Sequence, residues 1–85
     1  MFISGFVQGV GFRYFVKDNA RKLGITGWTR NTTNNRVEVM LQGNKQNIKQ
    51  LITLCHKGPF LAEVKEITVE WEETTEQYEN FSIEH

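Results

Sequence analysis

The chain predicts an α+β fold in which two helices cover one face of a mainly antiparallel sheet. Three observations lead there. Phe12–Leu23 and Ile48–Cys55 each repeat apolar residues at helical spacing, which gives two amphipathic helices. Short β-type runs stand before, between and after them, the clearest being Val64–Glu72, where apolar and polar residues alternate. Glycine, asparagine and the single proline fall between these runs, where the chain has to turn.

Taken in order, Phe2–Val7 (FISGFV) reads as a short strand, and Gln8–Gly11 as a glycine loop. From Phe12 the period changes. Phe12, Phe15, Val16, Ala20 and Leu23 form one apolar stripe, Asp18 and Lys22 form a mildly favourable pair on the other side, and Gly24 stands where a helix ends in a left-handed residue. Thr26–Asn31 is the second strand. Thr32–Asn35 (TTNN) makes a tight hairpin turn at Asn34-Asn35, since asparagine tolerates positive φ, and Arg36–Gln42 is the third strand. Asn44 is placed as the N-cap of the second helix, whose inner face is Ile48, Leu51, Ile52 and Cys55 and whose end is Gly58-Pro59. Val64–Glu72 turns Ile67, Val69 and Trp71 inward, with Glu66, Thr68, Glu70 and Glu72 in solvent. Phe81 and Ile83 suggest a short final strand. This βαββαβ order plus the last strand is the ferredoxin-like α/β sandwich, expected as one domain over residues 1–85.

That order has a geometric consequence. A strand–helix–strand crossover makes the first two strands parallel, and the hairpin lays the third, antiparallel, between them. The carboxyl ends of the first two strands then share one edge of the sheet. The glycine loop leaves from one end and Asn31 sits at the other.

Ten basic residues balance ten acidic ones, so no global field gathers nucleic acid or an anionic membrane, and any anion site has to be local. Cys55 is the only cysteine, which fits a reducing compartment. The apolar start is too short for a signal peptide, and no run reaches the roughly 20 apolar residues of a membrane helix. A cytoplasmic protein is expected.

The local site is the loop. Gly9 and Gly11 can take φ values closed to other residues and carry no side chain, so successive N–H groups can turn inward around an anion. The loop feeds a helix N-terminus, where N–H groups lack partners and the dipole is positive. Arg13 stands at that helix start, slightly unfavourable for the helix itself but suited to grip phosphate oxygens bidentately. The plain alternative is a tight β-to-α turn whose glycines serve geometry alone. The loop is neither a GxGxxG fingerprint nor a P-loop, since no third glycine and no GK[ST] ending follow.

VQGVGFRYFV (Val7–Val16) closely resembles the signature of the acylphosphatase family. GWTRNTTNNRVEV (Gly27–Val39) resembles its second signature, with Asn34-Asn35 where the family usually ends the turn in glycine, and GPFLAEV (Gly58–Val64) is similar to its Gly-Pro-x-x-Ala-x-Val connection. The resemblance spans nearly the whole chain, although the chain starts almost directly at its first strand, without the leader of many relatives. It implies a small cytosolic enzyme that hydrolyses carboxyl-phosphate anhydrides without a metal or other cofactor. Carried over by position, Arg13 binds the phosphate, Gln8, Gly9, Val10, Gly11 and Phe12 supply amide donors, and Asn31 holds the attacking water. Arg13 and Asn31 are thus the expected catalytic residues. The implied partner is a small-molecule acyl phosphate, met by a monomer that binds neither nucleic acid nor membrane. A carboxylate is a good leaving group, so catalysis needs positioning and charge stabilisation more than a general acid.

The remaining chemistry-bearing residues read as structural. His56 ends a helix, His85 is terminal and expected to be mobile, and Cys55 is a small core residue; these do not make a metal site. Trp28 and Trp71 are read as packing residues, and strand alternation points Arg30 away from Asn31. Two other readings stand beside the enzyme. One is an anion-sensing module that keeps the cradle without turnover. The other is an RNA-binding sheet, against which stands a third strand (RVEVMLQ) with no aromatic for stacking. The free length of 85 residues favours a standalone enzyme over a module of a larger carbamoyl-transfer protein.

Overall fold

A computed structural model describes residues 1–85. The elements are β1 (Phe2–Phe6), α1 (Phe12–Lys22), β2 (Thr26–Asn31), β3 (Val37–Gln42), α2 (Lys45–Lys57), β4 (Glu63–Thr68) and β5 (Phe81–Ile83). They form one five-stranded sheet in the order β4-β1-β3-β2-β5. β3 is antiparallel to both β1 and β2, so β1 and β2 run parallel as the crossover requires, and β5 pairs parallel with β2.

Alternation along the strands sends Ile3, Val37 and Val39 to the helical side, where Phe12, Val16 and Ala20 of α1 and Ile48, Leu51 and Cys55 of α2 meet them in a single core. Burial pushes the Cys55 thiol up to about 12, so it stays protonated. Asp18 and Lys22 form no ion pair, the one salt bridge being Arg30 to Glu38 at 2.7 Å on the open face of the sheet.

Gly27 shows what close strand approach requires: its φ is +139°, and a Cβ there would stand 1.9 Å from the Met40 carbonyl oxygen. In the hairpin only Asn35 has positive φ, at 64°, so the turn is not the two-residue kind in which both asparagines take it. Thr32 and Arg36 close the loop instead, Thr32 N–H donating to the Arg36 carbonyl at 2.8 Å.

β4 departs from expectation. It ends at Thr68, and Val69 and Trp71, expected inward, are 36% and 54% exposed. The cause is the neighbouring strand: Thr68 pairs with Phe2, the first residue of β1, and beyond it the alternating run has nothing to pair with. A bulge opposite Ser4/Gly5 also shifts the register, so Val64 and Ile67, three apart, both lean on the core.

Candidate active site

The first turn of α1 is built to leave donors open. Its N-cap is Gly11, at φ 80°, which has no side chain to cap with, and its first turn holds no acidic residue. The helical ladder starts with Phe15 N–H donating to the Gly11 carbonyl at 3.0 Å. The N–H groups of Phe12, Arg13 and Tyr14 come before it and have no helical carbonyl to reach. Gly9 takes φ 75°, and a Cβ on Gly9 or Gly11 would meet nothing within 4 Å. The glycines therefore serve the backbone path, and the space beside them is open.

The loop is held firmly from behind. Phe12 is 1% exposed, and burying such a ring stabilises by about 1.5–3 kcal/mol. It meets Phe15 edge-on at 5.9 Å between ring centroids. From the other side, the Gln8 carboxamide donates to the carbonyls of Thr32 and Arg36, both at 2.9 Å, and ties the loop to the β2–β3 hairpin.

A small cavity of about 100 Å³ lies in front, lined by Val7, Gly9, Gly11, Phe12, Arg13, Tyr14 and Asn31. Among the residues expected at the site, Gly9, Gly11, Phe12, Arg13 and Asn31 line it together. Gln8 and Val10 do not: Gln8 uses its side chain as the hairpin clamp, and Val10 packs against the core. Asn31 is exposed and Arg13 half-buried, so both reach solvent at the rim. Arg30, one residue before Asn31, points to the opposite face and holds Glu38.

Two contributors were not expected. Tyr14 lines the cavity and is 62% exposed, with the Lys17 ammonium 5.9 Å from its ring centroid. The chain terminus also arrives here. β5 runs parallel to β2, Glu84 N–H donates to the Thr29 carbonyl at 2.8 Å, and the tail is carried to the same sheet edge as Asn31. There Arg13 Nη1 donates to the Glu84 carbonyl at 3.3 Å and stands 3.5 Å from His85 Nδ1. His85, expected to be mobile, lies against the arginine. The missed signal was which strand Phe81–Ile83 would join, since only the parallel pairing with β2 brings the tail to this edge.

Comparison with known proteins bears on the family and the fold. The family model described as Acylphosphatase matches residues 1–83. An acylphosphatase of Chloroflexus aurantiacus is 42% identical over 83 residues, covering 98% of this chain and 90% of its own. The crystal structure of acylphosphatase from Bacillus subtilis superposes with a TM-score of 0.95 at 33% identity, over 99% of this chain and 93% of that one. Full-length HypF in its phosphate- and nucleotide-bound form also contains a similar unit, with a TM-score of 0.88 at 33% identity over 98% of this chain and 11% of the larger one. With the family model matching nearly the whole chain and these relatives covering nearly its full length, the chain belongs to the acylphosphatase family.

Proposed function

We propose that this protein is a monomeric, cytoplasmic, single-domain enzyme that hydrolyses acyl phosphates, R–CO–O–PO₃²⁻, to carboxylate and phosphate without a metal ion. The family membership supports the reaction class. The observation that carries the reading is the meeting, in one small cavity, of an uncapped helix start, one guanidinium and one exposed carboxamide. The phosphoryl oxygens accept from the loop and first-turn N–H groups and from Arg13. Asn31 holds a water opposite the departing carboxylate, in line with the P–O bond that breaks. The water oxygen bonds to phosphorus, the bridging oxygen leaves with the acyl carboxylate, and a phosphate oxygen takes the water's proton. Donors already in place meet the charge on the equatorial oxygens, so stabilisation needs no rearrangement as the reaction proceeds.

The test is incubation of the purified protein with benzoyl phosphate and EDTA, following phosphate release. Turnover is expected with the chelator present. Asn31→Ala is expected to lower kcat by about 100-fold while inorganic phosphate still inhibits at nearly the same concentration. Full activity in that variant would remove Asn31 from the mechanism, and phosphate bound without any turnover would favour an anion sensor instead.

A further inference from the structure

The two sides of the active-site cavity come from strands that are not neighbours. The glycine loop leaves β1, Asn31 ends β2, and β3 lies between those strands in the sheet. Pairing of β2 with β3 holds Asn31 opposite Val37. Pairing of β1 with β3 reaches Ile3, also opposite Val37, and goes no further toward the loop. No main-chain hydrogen bond outside the regular elements joins the loop to the β2–β3 hairpin. Main-chain pairing therefore fixes Asn31 on its own strand without fixing its distance from the loop.

Gln8 spans that break. Its Nε2 donates to the Thr32 carbonyl and to the Arg36 carbonyl, both at 2.9 Å. A carboxamide nitrogen carries two N–H groups, and both are spent on the hairpin. The accepting residues are braced against each other: Thr32 N–H donates to the Arg36 carbonyl at 2.8 Å, and Arg36 N–H donates to Thr32 Oγ1 at 3.1 Å. Each end of the clamp stands one residue, about 3.8 Å of chain, from a residue that lines the cavity. Gln8 precedes Gly9, and Thr32 follows Asn31. Gly9 and Gly11 add little stiffness of their own on the loop side.

We infer that Gln8 is a positioning residue for the hydrolysis: its carboxamide sets the distance between the phosphate cradle and Asn31. The inference rests on the reading of Asn31 as the residue that holds the attacking water. In-line attack needs the water oxygen and phosphorus close and aligned, and a misplacement of about 1 Å costs about 100-fold in rate. The cradle keeps its own anchor without the clamp, since Phe12 is buried behind it and α1 carries the first-turn N–H groups. Loss of the clamp thus displaces the water holder from the phosphoryl group and leaves the phosphoryl group bound. That separates Gln8 from Arg13, whose loss removes a donor to the phosphate itself.

Steady-state hydrolysis of benzoyl phosphate by Gln8→Ala, Asn31→Ala and the double variant, with inorganic phosphate as inhibitor, tests this. Gln8→Ala is expected to lower kcat about 10- to 100-fold, while the phosphate inhibition constant changes by less than about threefold. In the Asn31→Ala background, adding Gln8→Ala is expected to lower kcat by less than about twofold more, because no carboxamide is left to position. Gln8→Met keeps the length of the side chain and has no N–H to donate. It is expected to match Gln8→Ala, alone and with Asn31→Ala, and supplies the same test should the shorter side chain impair folding. Wild-type kcat in Gln8→Met overturns the proposal. So does phosphate inhibition that weakens as much as kcat falls, or a fully additive loss in the double variant when Asn31→Ala alone is slow. Full activity of Asn31→Ala on its own defeats the reading of Asn31, and the proposal falls with it.

Discussion

Helix α2 begins at Asn44, whose Oδ1 accepts from the Gln46 and Asn47 N–H groups at 2.8 and 3.4 Å. Helix α1 begins at Gly11, which has nothing to accept with, and places Arg13 in its first turn where a carboxylate would suit the dipole better. The two helices pack side by side on one sheet, and both end well, with basic residues in the last turn and a glycine at positive φ soon after. Only their starts differ. A helix start closed by its own asparagine stabilises the fold, whereas one left open, with a cation added, stabilises the fold less and keeps its donors for an anion.

The strongest way to break this contrast is to remove the cation from the open start. Arg13→Ala is expected to cost about 100- to 1000-fold in kcat/KM. Inorganic phosphate is expected to raise the Tm of the wild type by mass action and to have little effect on the variant. Because Arg13 is unfavourable to the helix dipole, the ligand-free variant is expected to be as stable as the wild type or slightly more so. A large loss of stability would mean that Arg13 holds the fold together, and the open start would lose its functional meaning.

A smaller effect is expected from the tail. Deleting Glu84 and His85 removes the carbonyl that accepts from Arg13 and the imidazole beside it. The guanidinium is then free to swing, and kcat/KM for benzoyl phosphate is expected to fall about fivefold, equivalent to about 1 kcal/mol. Inorganic phosphate should bind more weakly by a similar factor. If activity is untouched while Arg13→Ala remains severe, the cradle orients its arginine without help from the terminus.

Much of this was legible beforehand because it rests on local chemistry. Asn44 as a cap, Gly24 as a stop and the stripe from Phe12 to Leu23 each follow from residues a few positions apart. The convergence of the glycine loop and Asn31 was legible for another reason: handedness and hairpin connectivity leave few topologies to choose from. What could not be read depends on which neighbour a segment finds. Val69 and Trp71 alternate like strand residues, yet the pairing strand has ended at Met1 and they are exposed. His85 looks like a free end, but parallel pairing of β5 with β2 sets it against Arg13. Gln8 sits among donors expected at the phosphate, yet its carboxamide reaches carbonyls 24 and 28 residues away.

The last way to sharpen the contrast is at the closed start. Asn44→Ala leaves the Gln46 and Asn47 N–H groups without their acceptor, and loss of such a cap costs about 1 kcal/mol. The urea midpoint is therefore expected to fall with its slope unchanged, because the surface exposed on unfolding stays the same. Asn44→Asp keeps an acceptor and adds a charge that the dipole favours, so it is expected to match or exceed the wild type. Neither variant is expected to change kcat/KM, since α2 contributes no residue to the cavity. If Asn44→Ala slowed hydrolysis as well, α2 would have to transmit its fraying to Phe12, which lies against Gly58 just past its end. The two helix starts could then no longer be assigned separate roles.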